Sequence, residues 1–215
     1  PLKPNAYLFC VSILLSNLSL AANQELKISY KQPFKQLDLL TSASFKQQGS
    51  HLNYRHFDIG IRKPFPYLGD GWSYDLHFRQ THTHKKPGKR SVEKRTYLQL
   101  KKKFSSKKIS FLPSLDWQIR GRQELRFRQQ IGRSWRSRLK LSAKKKHALF
   151  NSHPFISYEY YYDYLNHDIT KKSAEAGLQF SKYRALTPSI YLKHSSSYKK
   201  QKWHSYSGVV FKLAF

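Results

Sequence analysis

The chain has 215 residues, with 40 Lys and Arg against 12 Asp and Glu, a formal net charge of +28, and a mean hydropathy of −0.70. So polar a chain excludes a bundle of transmembrane helices, and a single cysteine excludes a disulfide framework. The length suits one domain, and the 15% of aromatic residues favours strands.

Taken in order, Lys3 precedes an apolar run, Ala6 to Leu20, that closes on Ser19-Leu20-Ala21. A charged start, a short greasy middle and a small-x-small site predict a cleaved secretory signal peptide over 1–21; the run is too short and interrupted for a membrane helix. Leu8-Phe9 before Cys10 lacks the small residue of a lipoprotein site. Residues 22–36 are read as a periplasmic lead-in, with Leu26 to Lys31 as a candidate strand inside it. A barrel is expected over 37–215.

Side chains of a strand alternate between two faces, so period-two patterning marks strands. Leu37 to Phe45 alternates on odd positions, then Phe57, Ile59 and Ile61. Trp72, Tyr74, Leu76 and Phe78 alternate with Ser73, Asp75, His77 and Arg79, and Thr96, Leu98 and Leu100 with Glu93, Arg95, Gln99 and Lys101. The longest ribbon runs from Leu115 to Arg128. Its odd positions are mostly apolar; its even positions are Asp116, Gln118, Arg120, Arg122, Glu124, Arg126 and Arg128. At about 3.3 Å per residue it extends roughly 46 Å, which a 45° tilt turns into a crossing of a hydrocarbon core about 30 Å thick. Trp135, Leu139 and Leu141 then oppose Arg136, Arg138 and Lys140. Ile156 to Tyr164 opposes Glu159 and Asp163, and Ala174 to Phe180 opposes Glu175 and Gln179. Ile190 and Leu192 follow a Lys182–Thr187 turn, and Trp203 to Phe215 closes the chain.

Long strands greasy on one face and ionic on the other predict an all-β, antiparallel up-and-down transmembrane β-barrel. Ten strands are expected, with twelve if Phe104 to Leu112 adds one, and an even count puts both barrel ends in the periplasm. The connections 83–91 and 165–171 then face outward. Val209, Phe211, Leu213 and Phe215 alternate up to a terminal aromatic, which resembles the last strand by which bacterial outer-membrane barrels are read by their assembly machinery.

Four further stretches carry a family resemblance: Glu93-Lys94-Arg95-Thr96-Tyr97-Leu98-Gln99-Leu100, Arg122-Gln123-Glu124-Leu125-Arg126-Phe127-Arg128, Trp135-Arg136-Ser137-Arg138-Leu139 and Pro154-Phe155-Ile156-Ser157-Tyr158-Glu159. They resemble a family of small bacterial outer-membrane barrels known only as a domain of unknown function. An Arg expected before Ser173-Ala174-Glu175-Ala176-Gly177-Leu178 is absent. The resemblance implies a barrel in the outer membrane of a Gram-negative cell and no particular substrate.

Parity places Arg79, Arg95, Arg120, Arg122, Arg126, Arg128, Arg136, Arg138 and Lys140 in the interior, with Glu93, Asp116, Glu124, Glu159, Asp163 and Glu175 as acidic partners; Asp58 and Asp75 share that face. Two readings follow. Either paired charges fill the barrel as a structural lattice without transport, or the bases of two neighbouring strands line an anion-selective channel, with Arg122, Arg126, Arg136 and Arg138 touching the passing anion. Small anions or acidic oligosaccharides are then the expected solutes. Outer-membrane lipid, lipopolysaccharide facing the loop lysines (Lys85, Lys86, Lys89, Arg90, Lys199, Lys200, Lys202) and the assembly machinery are the expected partners. A basic nucleic-acid binder fits the charge, but no nucleic-acid motif appears and export would remove it from that target. His77, His82, His84, His194 and His204 form no Ser–His–Asp or metal-ligand spacing, so neither an enzyme nor a cofactor or metal site is expected.

Overall fold

The computed structural model describes residues 23–48, 51–86, 89–106, 114–129, 131–145, 151–199 and 201–215. The expected leader at 1–21, and much of the stretch considered for a twelfth strand, lie outside the described residues.

Eleven strands form the wall: β1 (Asn23–Phe34), β2 (Leu37–Gln48), β3 (His51–Pro64), β4 (Trp72–Lys86), β5 (Lys89–Ser105), β6 (Leu115–Arg128), β7 (Gly132–Lys145), β8 (Ser152–Asp163), β9 (Asp168–Phe180), β10 (Thr187–Lys199) and β11 (Lys202–Ala214). Neighbours in sequence pair antiparallel, and β1 pairs with β11 to close the barrel. The closing pair is parallel and joins six residues, Gln24–Ser29 against Val209–Ala214. The other pairings join nine to fourteen.

Two expectations are corrected here. Among the described residues the count is eleven rather than ten, because the segment read as a lead-in within 22–36 is β1, a wall strand paired to β2 along its whole length. Leu26, Ile28 and Tyr30 on its outer face and Glu25 and Lys27 on its inner face carry the same alternation as the other strands. An odd count also separates the two barrel ends. Asn23 pairs with Gln48 at one rim, whereas Phe215 lies at the other, where its N–H donates to Ser29 O at 2.8 Å. The rim bearing Phe215 and the β1–β2, β3–β4 and β9–β10 turns is called the C-terminal rim below.

The molecule is polar within and apolar without. Among the described residues, only five apolar or aromatic side chains are buried, Tyr97, Ala143, Tyr161, Tyr191 and Val210, against twenty-one polar or charged ones. Ile59, Leu76, Leu98, Leu139, Ile156 and Leu192 stand exposed around the outer wall. Exposed aromatics gather toward the rims: Trp135, Tyr162, Tyr164, Tyr198 and Trp203 at one, Phe34, Phe104, Phe180, Tyr183 and Phe215 at the other. The outer wall thus carries an apolar band with aromatic side chains toward both rims.

Close contacts shape the interior too. A Cβ built on Gly177 would lie 2.3 Å from Ile190 O and 2.3 Å from Tyr191 Cβ, so Tyr191 reaches the lumen only because position 177 has no side chain.

Candidate functional site: the charged lumen

The ionic clusters of the lumen join side chains of one strand, of adjacent strands and of next-but-one strands. On β3, β4 and β5, Asp58 accepts from Arg79 Nε at 2.6 Å and from Tyr97 OH at 2.5 Å, and its Oδ1 lies 2.5 Å from His77 Nδ1. The His77 ring stacks on Tyr97 with centroids 4.6 Å apart. One step along, the fully buried Asp75 accepts from Arg62 Nε at 2.9 Å, Gln99 Nε2 at 2.7 Å and Lys101 Nζ.

Four carboxylates tie β5 to β8. Glu93 holds Arg126 bidentately at 2.5 and 2.8 Å and Arg95 at 2.5 Å. Asp163 accepts from Arg126 at 3.2 Å and Arg136 at 3.1 Å. Glu124, with no exposed surface, takes Arg138 at 2.8 Å and Arg122 at 3.3 Å, with Arg95 3.8 Å away. Glu159 takes Arg120 at 2.7 Å, Arg138 at 2.9 Å and Tyr161 OH at 2.8 Å. The planar guanidinium suits this sharing, because its fixed fork can bridge two acids at once. Arg122 also lies over Tyr97, its Cζ 4.0 Å from the ring centroid.

Across the closing seam lysines replace arginines. Glu175 binds Lys140 and, at 3.2 Å, Lys193. Glu25 accepts from Ser44 at 2.7 Å and faces Lys46 at 3.2 Å and Lys27 at 3.7 Å. Lys27 donates to Tyr191 OH at 2.6 Å.

These clusters surround a cavity of about 1050 Å³. Its lining reaches from Tyr54, Arg136 and Lys171 toward one rim to Ser105, Asp116 and Lys144 at the C-terminal rim. Fourteen Lys and Arg side chains line it, against four carboxylates, Glu25, Asp116, Glu159 and Glu175.

The candidate residues are all inside the barrel, as parity predicts, but not all on the cavity. Arg79, Arg95, Arg120, Arg122, Arg136, Arg138 and Lys140 line it. Arg126 is locked between Glu93 and Asp163 and is not on that lining, nor is Arg128, which donates to Ser134 Oγ at 2.8 Å. Of the acids, Glu159, Glu175 and Asp116 line the cavity, whereas Glu93, Glu124 and Asp163 lie in the ionic lattice. The wall of bases on β6 and β7 is present in register, with Arg122 opposite Arg138 and Arg120 opposite Lys140. Its arginines, Arg128 apart, are each within ion-pair range of a carboxylate.

Sequence reasoning missed the lysines of the seam and the lower wall: Lys27, Lys46, Lys103, Lys144, Lys193 and Lys212. Their parity was readable, since Lys212 sits between Phe211 and Leu213 and Lys193 between Leu192 and His194, both in outward-alternating strands. Tyr97, Tyr161 and Tyr191 face inward by the same rule.

No protein-family model matches the chain, and no curated protein matches it. Among solved structures, that of the NanC porin in a rhombohedral crystal form is similar, with a TM-score of 0.52 over 89% of this chain and 98% of that one, at 14% identity. The likeness is one of fold alone.

Proposed function

We propose that this chain is a narrow, anion-preferring conduit of the bacterial outer membrane, a passive barrel rather than an enzyme. The single observation behind the proposal is the cavity wall: fourteen cationic side chains against four carboxylates, extending lengthwise between the rims. A lumen of that sign attracts anions and repels cations, and basic side chains exchange with passing carboxylates or phosphates. The porin-like fold and the apolar outer band support the membrane setting. In this reading an export signal at 1–21 is removed, and the C-terminal rim faces the periplasm. Val209, Phe211, Leu213 and Phe215 present outward to the assembly machinery, and the outer band meets lipid and lipopolysaccharide. The resemblance to small barrels of unknown function belongs to the same reading. Small anions are the solutes the wall favours, with acidic oligosaccharides as the larger alternative.

The second reading, a structural barrel with a closed lumen, draws on the lattice around Glu93, Glu124 and Asp163, which binds Arg95, Arg122, Arg126, Arg136 and Arg138 together. Reconstitution in planar bilayers separates the two. An open current whose reversal potential in a KCl gradient reports chloride preference is expected. Absence of current favours the closed barrel, and potassium preference removes the anion conduit.

A further inference from the structure

Most of the fourteen cavity cations are compensated. Lys27 and Lys46 face Glu25, Lys140 and Lys193 face Glu175, and Arg120 and Arg138 share Glu159. Lys103, Lys144 and Lys212 differ: they line the cavity, and no carboxylate among the described residues lies within ion-pair distance of them. Each sits one or two residues before the end of its strand, in β5, β7 and β11 respectively. Those three strands run the same way, so the ammonium groups collect at the C-terminal rim. By register Lys144 lies opposite Asp116, whose Oδ1 accepts from Ser105 Oγ at 2.5 Å; Glu175 and Asp75 attract Lys212 and Lys103 only from beyond ion-pair distance. At the other rim Glu93 and Asp163 hold Arg95, Arg126 and Arg136, and Lys171 donates to Tyr206 OH at 3.0 Å.

We infer that Lys103, Lys144 and Lys212, rather than the paired arginines, set the anion preference of this lumen, and that the preference resides in its C-terminal mouth. The inference rests on the conduit reading. A matched ion pair looks from a distance like a dipole, whose field dies away within a screening length of about 8 Å, whereas an unmatched charge keeps its potential in the water it faces. Lysine adds a kinetic advantage. Its compact ammonium has no fork to clamp a carboxylate, so a small anion is drawn in by charge and released readily. A unit charge roughly 8 Å from the path shifts the anion-to-cation ratio about 2- to 3-fold, because it acts with opposite sign on the two ions. Three together then account for a change of about tenfold.

The test uses the full chain in planar bilayers. The triple variant Lys103→Gln/Lys144→Gln/Lys212→Gln is expected to lose about tenfold of the chloride-to-potassium permeability ratio measured from reversal potentials. Its counterpart, Lys35→Gln/Lys63→Gln/Lys182→Gln, removes the same net charge at the same rim but outside the cavity lining and should keep the ratio. Wild-type single channels supply an arm that needs no variant: a charged mouth at one rim should make currents unequal at equal and opposite voltages. A triple variant with the wild-type ratio, or symmetric wild-type currents, overturns the inference and leaves the conduit standing. A wild-type protein that passes no current, or prefers potassium, removes the conduit and the inference with it.

Discussion

Glu124→Gln offers the sharpest test of the lattice. The substitution preserves shape and removes a buried charge on which three guanidiniums converge, those of Arg138 at 2.8 Å, Arg122 at 3.3 Å and Arg95 at 3.8 Å. Breaking a buried pair from one side costs about 3–5 kcal/mol, because the other charge stays buried without compensation. Arg138 keeps Glu159 and Arg95 keeps Glu93, so the loss falls mainly on Arg122, whose remaining strong acceptor is Gln99 Oε1 at 2.6 Å. A destabilisation of about 3 kcal/mol is therefore expected. Adding Arg122→Gln removes the stranded charge and should recover about 1–2 kcal/mol, a coupling only neighbouring residues show. Urea unfolding of the barrel in phospholipid vesicles, followed by fluorescence of the four tryptophans, gives both numbers by linear extrapolation. If Glu124→Gln lies within about 0.5 kcal/mol of wild type, the carboxylate is not the keystone of a buried network and the energetic reasoning fails.

Three further outcomes use the same unfolding assay. Tyr97→Phe deletes the hydroxyl that donates to Asp58 at 2.5 Å and should cost about 1–2 kcal/mol; an unchanged midpoint would mean the hydroxyl is redundant among the other donors to that carboxylate. Leu139→Arg, at a position 55% exposed on the outer wall, should cost about 2–4 kcal/mol in bilayers, and a neutral result would argue that this face does not meet hydrocarbon. Gly177→Ala forces a methyl against Ile190 O and Tyr191 Cβ, each 2.3 Å away; overpacking of about 1–3 kcal/mol is expected, and full stability would show that β9 and β10 can move apart at no cost.

Strand parity was legible wherever residues alternated cleanly. Leu115–Arg128 corresponds to β6 at both ends, and every acid placed inside by parity points inward. Closure was not legible. Hairpin pairings follow from adjacency in sequence, but the partner of Leu26 is Phe211, and nothing local to either residue announces a parallel match over so long a separation. Leu26 to Lys31 therefore read as a strand without a place, and the even-count expectation discarded it. Parity reports only which face a residue takes, so it cannot show that Arg126 reaches Asp163 across 37 positions or that Arg120 reaches Glu159 across 39. For that reason the sequence left open whether the arginines of β6 and β7 were paired or free, whereas Lys212, with no carboxylate within ion-pair distance among the described residues, was hidden inside a strand noticed only for its outward residues.

The junction of β1 with β11 has a consequence for how the cylinder forms and fails. Every other junction belongs to a hairpin that can zip as soon as its two arms exist, but this one must wait until the whole ribbon has curled, so the entropy of bringing distant stretches together falls on it alone. With six matched residues, it is also the shortest stitch in the ring. Heat, denaturant or lateral tension should part the wall along that line first, and amide exchange at Gln24–Ser29 and Val209–Ala214 should outpace exchange in β6 and β7, whose pairing is among the longest in the barrel.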